Sequence, residues 1–305
     1  MQTPEVDMVT GAFSFTGKYL TRRLLAMGRQ VRTLTGHPDS PNPFGAQVTI
    51  YPYNFDRFDE LVASLQGVST FYISYWIRFA YRQMTFERAV ENSRILFRAA
   101  KEAGVRRVVY ISISNPSETS PLPYFKGKAG LEHTLRESGL SSGILRPTVL
   151  FGPEGILINN IAWLVRRFPF FAVMGDGDYR LQPIFVEDLA DLMVKAGQSQ
   201  ENTMMDAVGP ETYRFDELVR LIAQTLHRRV GLIHFSPGVM YAISKLMGLV
   251  LGDVILTRDE ITGLMANLLI SEQPPTAPTR LSEWLCAHAE EVGKHYASEL
   301  ARHYH

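Results

Sequence analysis

The 305-residue chain is poor in cysteine, in net charge and in long apolar runs. Its single cysteine, Cys286, rules out a disulfide within the chain and fits a reducing compartment. The 31 basic and 31 acidic side chains cancel, leaving no overall field to draw nucleic acid or an anionic membrane. Partners must then be met through local sites. The most apolar stretch, "VMYAISKLMGLVLGDVIL", is interrupted by Lys245 and Asp253 and is shorter than the roughly 20 residues of a spanning helix, so no membrane span is expected. The opening "MQTPEVDMVT" carries neither a basic nor an apolar segment, and a cytoplasmic location is expected. The eight histidines show no metal-ligand spacing; those in "CAHAEE" and "RHYH" are scattered or terminal, and no metal site is expected.

What is present is ordinary globular material, 46% hydrophobic and 20% charged, enough for one large domain or a main domain with a smaller one. Strand patterns fall at residues 5–10, 30–35, 47–52, 68–73, 106–113 and 142–146, alternating with helical patterns at 15–28, 57–66, 84–103 and 124–138. That alternation predicts parallel strands with helical crossovers, an α/β doubly wound sheet over residues 1–152. Beyond it, residues 153–305 read as a smaller, mainly helical cap, partly interleaved with the first domain. Its helices are expected near 156–167, 186–197, 215–227 and 238–250, with brief strand-like runs such as "TMMDAV" and "VGLIHF".

The first strand leads into "TGAFSFTG" and a helix, the place where an open parallel sheet offers backbone N–H groups to an anion. Gly11 permits the tight turn and Gly17 the close packing of helix on strand, while Ser14 stands where a central glycine is usual. A pyrophosphate suits that turn, and the Ser14 hydroxyl can donate to it. A phosphate loop of the Gly-Lys-Ser/Thr kind is excluded, because Tyr19 follows Lys18. The second strand ends in "VRTLTGHPDS" with no acid at its tip. Thr35, Gly36 and His37 there lean the choice towards NADP over NAD, His37 alternatively being a plain loop residue.

A second cluster lies in "SISNPSETSPLPYFKGKAGLEHTL". Ser112 and Ser114 end the fifth strand, and Tyr124 and Lys128 share a helix face four residues apart. An ammonium beside a phenol lowers its pKa, as a proton donor and acceptor near neutral pH requires, and a serine hydroxyl can hold a carbonyl oxygen. The pattern is that of a ketone reductase or alcohol dehydrogenase.

With "YNFDRFDELVASLQGV", "AAKEAGVRRVVYISIS", "ESGLSSGILRPTVLFGP" and "YRLQPIFVEDLAD" in this order, residues 5–210 resemble the short-chain dehydrogenase/reductase superfamily, in its extended and atypical, NmrA-like branch. The resemblance implies Tyr124 and Lys128 as catalytic pair, Ser112 or Ser114 as assisting hydroxyl, and Gly11, Ser14, Phe15 and Gly17 around the pyrophosphate. It further implies Thr35, His37, Asn54, Phe55 and Ser74 along the adenosine half, and Pro147, Thr148 and Val149 beside the nicotinamide. Asn54 stands where the family usually has aspartate. The same branch holds epimerases and dehydratases, as well as regulators and a respiratory accessory subunit that bind the dinucleotide without obvious turnover, and these alternatives stay open.

Three further stretches bear on substrates and partners. "GLSSG" matches a hydrolase pattern but leaves a helix and enters a strand, the reverse of a nucleophile elbow. "SYWIRFAYRQM" sets Tyr75, Trp76 and Arg78 at the sheet edge as a substrate wall or a packed crossover, and Arg180 falls where related sugar-nucleotide enzymes grip a phosphate. "SPGVMYAISKLMGLVLGDVIL" reads as core, as an interface between copies, as a lid over an apolar substrate, or as a face resting on a membrane protein.

Overall fold

The computed structural model describes residues 5–303. In chain order its first part runs β1 (Val6–Thr10), α1 (Phe15–Ala26), β2 (Gln30–Thr35), β3 (Val48–Pro52), α2 (Phe58–Leu65), β4 (Val68–Ile73), α3 (Phe86–Glu102), β5 (Arg107–Ile111), α4 (Pro123–Glu137) and β6 (Ser142–Pro147). Next come β7 (Leu150–Phe151), α5 (Ile156–Arg167), β8 (Phe170–Met174), β9 (Arg180–Leu181), β10 (Ile184–Phe185), α6 (Val186–Gln198) and β11 (Thr203–Ala207). The last part holds β12 (Tyr213–Arg214), α7 (Phe215–Thr225), β13 (Gly231–Phe235), α8 (Pro237–Leu251), α9 (Arg258–Met265), α10 (Leu281–Ala287) and α11 (Glu299–His303).

The chain forms two compact units and passes between them three times. The first holds the residues up to Pro147 together with Val186–Ala207; the second holds Thr148–Phe185 and Val208–His305.

The first unit is a seven-stranded parallel sheet in the order β11-β6-β5-β4-β1-β2-β3, a Rossmann fold. Strand β5, "RVVYI", is buried at every position, as a central strand covered on both faces must be. Met8, Phe71, Val108 and Ile144 pack on one side with Leu61, Leu96 and Leu131 from the helices. The strand order reverses between β1 and β4, which opens a crevice at their carboxyl ends. There the backbone N–H of Ser74 donates to the Thr10 hydroxyl at 2.8 Å, and the Ser74 hydroxyl donates to the Thr10 carbonyl at 3.0 Å. At the opposite end the buried Asp7 accepts two hydrogen bonds from Arg29, each 2.7 Å.

The run "TMMDAV" and the helix before it, assigned from sequence to the residue 153–305 cap, belong to the first unit. Strand β11 pairs parallel with β6 from Thr203 opposite Gly143 to Ala207 opposite Pro147, and α6, which precedes it, buries Leu189, Ala190 and Met193. Pairing with a partner some sixty positions earlier leaves no local trace in "TMMDA".

The second unit combines helices with three two-stranded pairs, β10 with β7, β12 with β9 and β13 with β8. Its core gathers Phe151, Ile158, Val173, Phe215, Leu218 and Trp284.

Gly197, in the last turn of α6, shows how tightly α6 lies on the sheet: a β-carbon there would fall 2.1 Å from the Tyr72 hydroxyl. Gly197→Ala is expected to lower unfolding free energy by about 1–3 kcal/mol despite the better helix propensity of alanine. Urea unfolding checks this, and adding Tyr72→Phe should recover part of the loss.

Candidate active site

The turn after β1 is built around one close approach. Gly11 has φ of +63°, the left-handed region that favours glycine, and its N–H donates to the Leu34 carbonyl at 2.8 Å. A β-carbon on Gly17 would lie 1.9 Å from the Gly11 carbonyl oxygen, so α1 starts in contact with the turn backbone. Ser14 explains itself locally. With φ of −72° and ψ of 170° it needs no glycine, and its hydroxyl caps α1 by accepting the Gly17 N–H at 3.3 Å. The hydroxyl proton remains available to an anion at this helix N-terminus. Phe15 follows as the first residue of α1, its ring edge-on to Tyr19 at 6.0 Å.

Along the crevice several predicted residues turn out to be engaged with their neighbours. The Thr35 hydroxyl accepts the His37 N–H at 3.1 Å and shapes the turn, leaving His37 exposed. Asn54 has φ of +47°, and its side chain is held by Arg57 at 2.5 Å and Glu60 at 3.1 Å, a local cluster that the sequence reading missed. Phe55 stacks on Tyr53 at 4.9 Å, and both rings meet Tyr75. The Tyr75 hydroxyl accepts a 2.7 Å bond from Asn92, which ties this residue to α3.

Pro123 in the first turn starts α4, placing Tyr124 and Lys128 one helical turn apart. Lys128 is buried, and its ammonium donates to the Ile111 carbonyl at 2.6 Å, where β5 ends. Two rings enclose it, Trp76 at 4.4 Å and Tyr110 at 4.8 Å from Nζ. Trp76 also meets Tyr124 edge-on at 5.6 Å, and Phe86 closes the group at 6.0 Å from Tyr124. Trp76 was legible as a residue of the sheet edge, but its place over Lys128 was not. Burial pushes the Lys128 ammonium down to about 7, with nearby Glu132 opposing. Burial, with Tyr124 and Glu132 close by, holds the Tyr110 phenol well above its ordinary value. Glu132 itself is clamped by both ends of the Arg146 fork, at 2.9 and 2.5 Å.

The two serines differ. Both are buried, yet among the described residues the Ser112 hydroxyl has no hydrogen-bond partner, whereas Ser114 has one. An orphaned buried hydroxyl is costly unless a ligand completes it. Pro147 ends β6 in the first unit, and its carbonyl accepts the Ser114 N–H at 3.0 Å. Thr148 and Val149 lie in the second unit, Thr148 donating to the Gln182 carbonyl and Val149 accepting from Ile184 at 2.8 Å. Arg78 lies 5.5 Å over the Phe79 ring. Arg180 is exposed in β9 and forms no ion pair among the described residues.

A glycine turn at the switch point of a parallel sheet, with a closely apposed helix, defines the chain as an NAD(P)-binding Rossmann protein. Residues 8–207 match the model of the NAD dependent epimerase/dehydratase family, and the chain belongs to that family. Among curated relatives, the chain is similar to NADH dehydrogenase [ubiquinone] 1 alpha subcomplex subunit 9, mitochondrial, of Arabidopsis thaliana. It is 24% identical to that protein over 286 residues, covering 88% of this chain and 71% of the relative. Among solved structures it resembles a nucleoside-diphosphate-sugar epimerase of Staphylococcus aureus, with a TM-score of 0.73, 17% identity and coverage of 92% and 99% of the two chains. A similar match, with a TM-score of 0.72, 21% identity and coverage of 92% and 99%, is an NADPH-dependent quinone oxidoreductase from Escherichia coli complexed with NADPH.

Lys128 makes stability depend on pH with a definite sign. The unfolded chain keeps this proton up to about 10.5, the fold only up to about 7, so between those values the unfolded state binds more protons and stability rises with pH. Lys128→Met should therefore gain most over the wild type at and below pH 7, and the gain should fade towards pH 10.5; urea unfolding across that range measures it.

Proposed function

We propose that the protein is an NADP(H)-dependent oxidoreductase that moves hydride between the nicotinamide and a carbonyl or alcohol carbon. The observation that carries this reading is the burial of Lys128, one helical turn from Tyr124, on the Ile111 carbonyl at the end of β5, directly before the buried and unpartnered hydroxyl of Ser112. Perturbed ionisable groups gathered at such an edge favour a working site over a merely structural one.

The residues present fit a dinucleotide. Gly11, Gly17 and the Ser14 hydroxyl shape an anion cradle at the N-terminus of α1, and the acid-free tip of β2, with Thr35 and His37, favours the 2′-phosphorylated form. When bound, the cofactor supplies the hydride. The chain's own residues do the rest. Ser112 Oγ orients the substrate oxygen by donating to it. Tyr124 Oη passes its proton to that oxygen during reduction and takes it back during oxidation. Lys128, protonated below about pH 7, steadies the phenolate, while the Trp76 ring keeps water from the pair.

A second reading, a dinucleotide-binding protein that does not turn over, is favoured by one feature: the Lys128 ammonium is spent on the Ile111 carbonyl and covered by Trp76. The relationship to a subunit of NADH dehydrogenase fits that reading too. Tyr124→Phe separates them. Catalysis predicts that NADPH consumption with a panel of ketones and quinones falls at least about 100-fold while cofactor affinity stays within about threefold. Undiminished consumption would remove Tyr124 from the mechanism, and no consumption by the wild type across the panel would favour the second reading.

A further inference from the structure

The chain is neutral overall, but its stretch from Arg228 to Arg258 is not. Four basic side chains in it, Arg228, Arg229, Lys245 and Arg258, are exposed. Its one acid, Asp253, is buried and consumed internally: it accepts the Tyr296 hydroxyl at 2.7 Å and the backbone N–H groups of Glu299 and Leu300 at 3.0 Å each. Asp259, which is exposed, and Glu260 follow Arg258 directly, so over residues 228–260 four cations face three carboxylates and the balance is only slightly positive.

Helix α8 lies within the stretch and carries no acid at all. Ser244 is its one fully buried residue. On the outside, Val239, Ala242, Leu246, Leu249 and Val250 recur at spacings of three, four, three and one, which puts them on one face. Leu246 is 66% exposed, Leu249 82% and Val250 80%. The outer face of a solvated helix ordinarily bears charge; here the charge sits at one edge, where the Lys245 ammonium and the Arg258 guanidinium lie 5.5 and 4.9 Å from the Tyr241 ring. The helix is also firmly fixed. Pro237 starts it, Gly252 ends it in a left-handed turn, and Gly248 meets the Asp253 carbonyl so closely that a β-carbon would lie 2.6 Å away.

We propose that α8 docks the protein on an anionic lipid surface, its apolar face entering the boundary between headgroups and acyl chains and its flanking basic side chains pairing with lipid phosphates. An apolar face on a helix that itself bears a lysine and no acid is the pattern of an interfacial helix. Spanning is excluded for α8 by its 15 residues, and no helix among the described residues is long and apolar enough to cross a membrane.

The test is flotation of the full-length protein with vesicles of phosphatidylcholine alone or mixed with phosphatidylglycerol. The proposal expects co-flotation with the anionic vesicles, weaker recovery with the neutral ones and loss of binding in high salt. Leu249→Glu and, separately, Lys245→Glu with Arg258→Glu should each weaken binding at least about tenfold while thermal melting stays near that of the wild type. Absence of flotation with anionic vesicles would overturn it, as would undiminished flotation of a folded Leu249→Glu protein. A dimer in sedimentation that Leu249→Glu dissolves, without vesicle binding by the wild type, would assign the face to a second copy instead.

Discussion

Helix α1 begins where the carbonyl oxygen of Gly11 leaves no room for a side chain on Gly17. From that contact follow the tight turn off β1, the angle at which α1 leaves it, and the placing of the helix N-terminus at the crevice between β1 and β4. The Thr10 to Ser74 hydrogen bonds then lock β4 beside β1 at the same edge. Ser14 adds to this arrangement without disturbing it. Its backbone is that of an ordinary capping residue, so the usual central glycine is dispensable for geometry and bears only on how closely a phosphate can approach.

The second constraint is the burial of an ammonium. Lys128 gains one strong carbonyl acceptor and two aromatic faces in exchange for water, and these do not fully offset desolvation, so its proton is held weakly. Glu132, the nearest carboxylate on the same helix, is occupied by Arg146. The loop after β4 thus takes part in the site through Trp76. A structural cost of this kind is tolerated where a function needs a group poised between two protonation states.

Much of the first unit was legible because parallel strands announce themselves as short apolar runs between helical ones, and because Gly11 and the Tyr124/Lys128 spacing act locally. What escaped was long-range. Strand β11 joins the sheet through register with β6, which no window over "TMMDA" contains. Trp76, in the loop after β4, reaches Lys128 on the helix after the neighbouring strand β5, and nothing in "SYWIRF" distinguishes that role from a packed crossover. Ser112 and Ser114 share the same strand end and the same alternation; only the hydroxyl partners separate them. The Asn54 cluster with Arg57 and Glu60 was short-range yet still missed, because its left-handed turn is set by the meeting of β3 and α2 and not by residue type alone.

Every role proposed for the site depends on the turn after β1 holding a dinucleotide. Titration with NADPH and with NADH, followed by reduced-nicotinamide fluorescence, tests this most directly when repeated on Gly17→Ala. Saturable binding that favours NADPH and is lost in the variant is the predicted result. Wild-type protein that binds neither nucleotide, or a folded variant that binds as well as the wild type, would contradict it.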